Sequence, residues 1–164
     1  MIEGIAPDIE RILEAGNSAP SGENCQPWHF VVRGTAIEVH LLPERDQSAY
    51  SWGQRASYLA NGAAIENIVV AASAEQYRAE VRYFPNPSDE WHTATIVLTK
   101  DSTIEPDLLA SFVSKRISNR KPYTKDSLTG EERKVLTGAA AHEEYGTFVL
   151  VETPEEIGRL GRVG

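Results

Sequence analysis

Two short stretches hold residue types that could do chemistry. The first is Ser18-Ala19-Pro20-Ser21-Gly22-Glu23-Asn24-Cys25-Gln26-Pro27-Trp28, which sets hydroxyl and amide side chains between two prolines. Proline fixes its own φ and stiffens the chain around it, so these polar groups belong to a rigid loop. Donors and acceptors held in that way suit a flat heteroaromatic ligand or a phosphate. The same composition also describes a plain helix-to-strand connection anchored by Trp28. The second stretch is Lys115-Arg116-Ile117-Ser118-Asn119-Arg120-Lys121, with four of the chain's 16 Lys and Arg in seven positions. Forked guanidinium donors beside a serine hydroxyl suit a phosphate group. Cations at the negative end of a preceding helix would have the same composition.

Other candidates carry less. Cys25 and His29 stand four apart across an expected loop-to-strand junction, where they would not face each other as on a helix, and no third partner completes a nucleophilic set. The histidines at 29, 40, 92 and 142 lack metal-ligand spacing, so no metal site is expected. Trp52 and Trp91 lie beside polar loops, where they could cover a flat ligand or simply pack. Neither a Gly-x-Gly-x-x-Gly fingerprint nor a P-loop is present, which removes the motif for a Rossmann or nucleoside-triphosphate reading.

The whole chain narrows the partners further. Its 164 residues are the size of one domain, 41% hydrophobic and 24% charged, with a formal charge of −8. A field of that sign repels nucleic acid and anionic membrane as general partners, so an anionic ligand needs a local basic cluster. With Cys25 as the lone cysteine no internal disulfide can form, which fits a reducing compartment. No apolar run approaches the roughly 20 residues of a membrane span, and the first residues lack a signal peptide's pattern. The expectation is a soluble cytoplasmic protein.

Periodicity then places the elements. Ile5, Ile9, Ile12 and Leu13 recur at helical spacing, with Pro7 suited to the first turn and Gly16 to a C-cap. Residues 28–32 and 37–42 read as two strands of a hairpin. A helix over about 57–74 has an apolar surface too wide for one stripe, as a buried central helix would. Strands follow over 80–84 and 93–100, the latter with Ala94, Ile96 and Leu98 on one face. A short helix over about 107–115 would turn Leu108, Leu109, Phe112 and Val113 inward. Thr129 and Glu132 form a capping-box pattern that opens a helix to about 141. Residues 147–151 read as a fifth strand, and Thr153-Pro154-Glu155-Glu156 opens a last helix ten residues before the end. A well-capped helix so near the end is read as the mark of a fragment or of half a larger unit, against a frayed terminal helix. The order favours an α+β fold, a mixed or antiparallel sheet flanked by helices.

Taken together the motifs resemble a known family. Ala19-Pro20-Ser21-x-x-Asn24-x-Gln26-Pro27-Trp28-x-Phe30 resembles the signature loop of nitroreductase-like, FMN-dependent flavoproteins. Arg116-x-Ser118-x-Arg120-Lys121 resembles that family's phosphate-gripping segment, and Gly62 to Ala72 is similar to its central helix. The resemblance implies a nitroreductase-like fold with FMN at the interface of two lobes or subunits. Ser21, Asn24 and Gln26 would touch the flavin or its chain, and Arg116, Ser118 and Arg120 would hold its phosphate. In single-lobe members the Arg-x-Ser-x-Arg segment precedes the Pro-Ser loop; here it follows by about 95 positions. That order is most similar to the N-terminal part of a two-lobed member: one nitroreductase-like domain over 1–164, with a second lobe starting near 107–164 and incomplete. The implied activity is hydride transfer from NAD(P)H through FMN to a nitro, quinone or similar small-molecule acceptor, with no catalytic acid or base identified. The alternatives are a non-catalytic lobe that binds or stores FMN, and a structural half-domain. A site shared between lobes implies a homodimer or a second lobe in a longer chain.

Overall fold

The structure, a computed structural model, describes residues 5–122, 126–140 and 147–162. The chain forms two compact units, Met1–Ser118 and Asn119–Gly164, taken separately below.

The first unit is a four-stranded antiparallel sheet with helices packed on one face. Helix α1, Pro7–Asn17, has proline at its start and Asp8 and Glu10 in its first turn, where the free N–H groups and the helix dipole favour negative charge. Strands β1 (Trp28–Arg33) and β2 (Ala36–Leu41) form a hairpin, and Gly34 at its turn takes φ +63°, a region where a Cβ is penalised. Helix α2, Arg55–Ala74, then leads to β3 (Tyr77–Tyr83) and β4 (His92–Lys100). The strand order is β1-β2-β4-β3, with every neighbouring pair antiparallel.

Strand alternation decides which face is covered. Ile37 and Val39 of β2 and Ala94, Ile96 and Leu98 of β4 meet Ile9, Ile12 and Leu13 of α1 and Ile65, Ile68 and Ala72 of α2 in one buried core. A smaller cluster of Ala19, Trp28, Ala60 and Ala64 joins the Pro-Ser loop to α2. As its wide apolar surface predicts, α2 buries residues on several sides, yet Leu59 stays 79% exposed.

In the second unit the capping signals read from sequence are present as geometry. Thr129 accepts from the Glu132 amide at 3.2 Å while the Glu132 carboxylate accepts from the Thr129 amide at 2.8 Å, opening α4 at Gly130–Ala139. Thr153 and Glu156 repeat the device for α5, Pro154–Leu160. Arg133 makes two bonds to Glu152, of 2.8 and 2.7 Å, linking α4 to the segment before α5.

Three sequence expectations change. Residues 147–151 form no strand and pair with none of the described residues, and β-prone side chains make a ladder only beside a neighbour that takes their backbone groups. The helix expected over about 107–115 shrinks to one turn, α3 at Ala110–Val113, and Leu108, Leu109 and Phe112 are exposed. Asp107 holds the start of that turn, its amide donating to Ser73 Oγ at 2.8 Å and its carboxylate accepting from the Leu109 amide at 2.7 Å. Gly16 is no C-cap. It lies inside α1, and a Cβ there would stand 2.8 Å from Ile68 Cγ1 and 3.2 Å from the Phe30 ring, so the glycine allows α1 and α2 to approach.

Candidate functional site

The Pro-Ser loop begins where α1 stops. Ser18 closes the helix, its amide reaching Glu14 O at 3.1 Å and its hydroxyl donating to Ala15 O at 2.7 Å. A 3-10 turn at Gly22–Asn24 follows, and Glu23, Asn24 and Gln26 all take positive φ, of 49°, 58° and 48°. Left-handed backbone at a residue with a Cβ costs on the order of 1 kcal/mol and persists where surrounding bonds over-determine it. Those bonds are present. Ser21 Oγ accepts from the Gln26 amide at 2.9 Å, and Gln26 Nε2 donates to Asn17 O at 3.1 Å. Arg45 donates to Gln26 O at 3.0 Å, and Trp28 Nε1 donates to Asn17 Oδ1 at 3.0 Å.

Behind the loop lies a buried polar layer that sequence reading missed. Asn61 of α2 is 1% exposed; its Nδ2 donates to Pro27 O at 2.8 Å and Ser57 O at 3.0 Å, and its Oδ1 accepts from Thr93 at 3.2 Å. One side chain thereby fixes the loop's end to α2 and β4. Asp46 is buried beside it, bonded to the hydroxyls of Ser48 at 2.7 Å and Ser57 at 3.4 Å. The Ser48 hydroxyl and amide hold its carboxyl below the usual carboxylate range. The signal available in the sequence was polar residues among the small apolar ones of α2.

Between loop and helix is a cleft of about 720 Å³, lined by Pro20, Ser21 and Gly22 on one side and Ala60, Ala63 and Glu66 of α2 on the other. That volume lies within the usual range for small-molecule sites. Tyr58 also borders it; burial, with Glu90 nearby, pushes its phenol up, so it stays a hydrogen-bond donor at neutral pH. Trp91 stacks on Tyr58 at 6.4 Å between ring centres, whereas Trp52 is 75% exposed under the Arg55 guanidinium.

Of the residues singled out by sequence, Ser21 lines the cleft; Gln26 is half-buried beside Asn17, and Asn24 is exposed on the 3-10 turn. Arg116 donates to Ser18 O at 3.2 Å, so the basic segment starts at the base of the loop despite the 98 positions between them. Ser118 is exposed at the end of the first unit, and Arg120 is exposed in the second. Cys25 is half-buried and His29 exposed on β1.

No family model matches the chain. It is 28% identical over 137 residues to a Mycobacterium tuberculosis protein named "putative NAD(P)H nitroreductase", an alignment covering 83% of this chain and 40% of that one. Among solved structures, a nitroreductase family protein of Clostridium difficile 630 superposes with a TM-score of 0.50 at 14% identity, covering 76% of this chain and 88% of that one. A "putative NADH oxidase" of Clostridium acetobutylicum gives 0.51 at 19%, covering 72% and 90%. The chain is related to the nitroreductase-like proteins and has their fold. It spans less than half the length of that mycobacterial relative. No helix among the described residues is long and apolar enough to cross a membrane.

Proposed function

We propose that the chain is an FMN-binding lobe of an oxidoreductase that takes hydride from NAD(P)H and passes it to a nitro, quinone or similar acceptor. The observation that carries this reading is the cleft itself, where Ser21 and Gly22 of the Pro-Ser loop face the small residues of α2 and Arg116 is bonded at the loop's base. A flat ring system fits a wall of alanines and glycine, and a rigid polar loop fits its heteroatom edge. The relatedness to proteins named as NAD(P)H nitroreductases supports the same reading.

When bound, a flavin supplies the hydride chemistry, and the protein's part is placement and electrostatics. Ser21 Oγ already accepts from the Gln26 amide, which leaves its hydrogen to donate to a ligand. Gln26 uses one N–H on Asn17 and keeps its carbonyl and a second N–H, with Asn24 beside it on the turn. Arg116 spends one of its five donors on Ser18 O, and the remaining four can serve a phosphate together with Ser118 and Arg120. The site is completed by a second lobe, from another copy of the chain or from further sequence in a longer one.

Anaerobic addition of NADH or NADPH to the flavin-loaded protein tests the turnover half of this proposal. Bleaching of the flavin's visible absorption, reversed by a quinone, is the expected result. A loaded protein that neither nicotinamide bleaches would be a storage lobe.

A further inference from the structure

Sequence spacing shows no metal set, but the β2–β4 register creates one. His40 of β2 pairs with His92 of β4 at the irregularity that follows Val39, and their rings stack with centres 4.4 Å apart and planes 22° apart. Asp89, in the β3–β4 connection, adjoins them: the His92 amide donates to its carbonyl oxygen at 3.2 Å. One ligand atom from each of His40, Asp89 and His92 lies within 4.8 Å of the other two, and all three residues are half-buried. None of them lines the cleft beside Ser21.

We propose that His40, Asp89 and His92 form a zinc site with three protein ligands and an open fourth position. Imidazole nitrogen and carboxylate oxygen bind tetrahedral zinc at about 2.0–2.2 Å, which puts ligand atoms about 3.4 Å apart. The present spacing exceeds that by at most about 1.4 Å, and the two stacked rings must turn out of their near-parallel arrangement for both lone pairs to meet one ion. Neighbours orient both rings, the usual condition of a ligating histidine. His92 Nε2 lies 2.9 Å from Thr95 Oγ1, and His40 Nε2 lies 3.5 Å from Glu38 Oε2, so each ring keeps a second nitrogen for a metal. The Asp89 carboxylate has one oxygen occupied by the Trp91 amide at 3.1 Å, which leaves the other available. Two neutral imidazoles with Asp89 and the adjacent Glu38 balance the charge of a divalent ion. The connection is braced as well: the Leu41 amide donates to Trp91 O at 2.7 Å, and the Asp89 amide to Asn86 O at 3.0 Å.

The test is zinc titration of the 164-residue chain, stripped with a chelator and followed by calorimetry. One zinc per chain is expected, with unchanged affinity in Cys25→Ser, which lies outside the cluster. His40→Asn and His92→Asn should each weaken binding by more than the roughly 10–100-fold typical of losing an outer-shell partner. To cover a variant that does not fold, the wild-type histidine ring nitrogens are also followed by NMR, where zinc should shift most strongly those of His40 and His92. Zinc affinity unchanged in folded His40→Asn and His92→Asn, no zinc retained by the wild type, or shifts confined to other histidines would overturn the site.

Discussion

At the scale of single residues, the two arginines of the basic segment make different predictions. Arg120 is exposed, and its proposed contribution is to the phosphate. A charge-assisted hydrogen bond is worth about 1.5–3 kcal/mol, or roughly ten- to a hundredfold in affinity. Arg120→Ala should weaken FMN by that factor and leave riboflavin, which lacks the phosphate, unchanged. Arg116→Ala also loses the bond to Ser18 O and should weaken both ligands, FMN more. Titration of both flavins into wild type and variants checks this, and equal losses in Arg120→Ala would count against phosphate recognition. A second residue-level prediction concerns Asp8, whose carboxyl the Tyr77 hydroxyl (2.7 Å) and the Lys100 ammonium (3.1 Å) hold at about 2, below an ordinary 3.8. A depressed carboxylate stabilises fully above its unfolded value, and that contribution is lost as pH falls through the folded one. Tyr77→Phe should raise the Asp8 value toward 3.8 in an NMR titration and make unfolding between about pH 4 and 2 less steep.

At the scale of elements, what the sequence made legible is what local rules determine. Alternation in β4 identified Ala94, Ile96 and Leu98 as one face, and both capping boxes formed at Thr129 and Thr153. Features that depend on a neighbour were not legible. Residues 147–151 have strand composition but pair with no strand among the described residues, and Leu108 and Phe112 have helical spacing yet are exposed. Asn61 and the His40–His92 pair acquire their partners only through sheet register and loop docking. For the candidate site, Ser21 and Arg116 were readable as motifs, but the cleft that unites Ser21 with α2 needed coordinates. Gly16 gives the test at this scale. Gly16→Ala forces a Cβ against Ile68, which is fully buried, and overpacking of this kind costs about 1–3 kcal/mol. Chemical denaturation should show that loss, and in the double variant with Ile68→Ala, which removes both Cγ1 and Cδ1, the combined loss should fall short of the sum of the two. Additive losses would mean that the close approach is not what requires glycine.

At the scale of the whole molecule, the proposal is that this lobe shares its flavin with another. The cleft is bordered by the exposed Leu59 and by the small residues of α2, a surface suited to cover by a second lobe. Light scattering of the purified 164-residue chain should therefore give a dimer when FMN is bound; a monomer that still binds FMN tightly would refute the shared site. The overall charge of −8 makes a phosphate-bearing cofactor dependent on the local cations near Arg116, and adding salt should weaken FMN more than riboflavin. The central claim, that the chain holds FMN, is tested most directly by the absorbance spectrum of the protein after incubation with FMN and removal of the excess, with chromatography of the chromophore released by heat. A flavin spectrum and a released chromophore that runs as FMN are the expected result. A colourless protein, or one that releases only FAD, would contradict it.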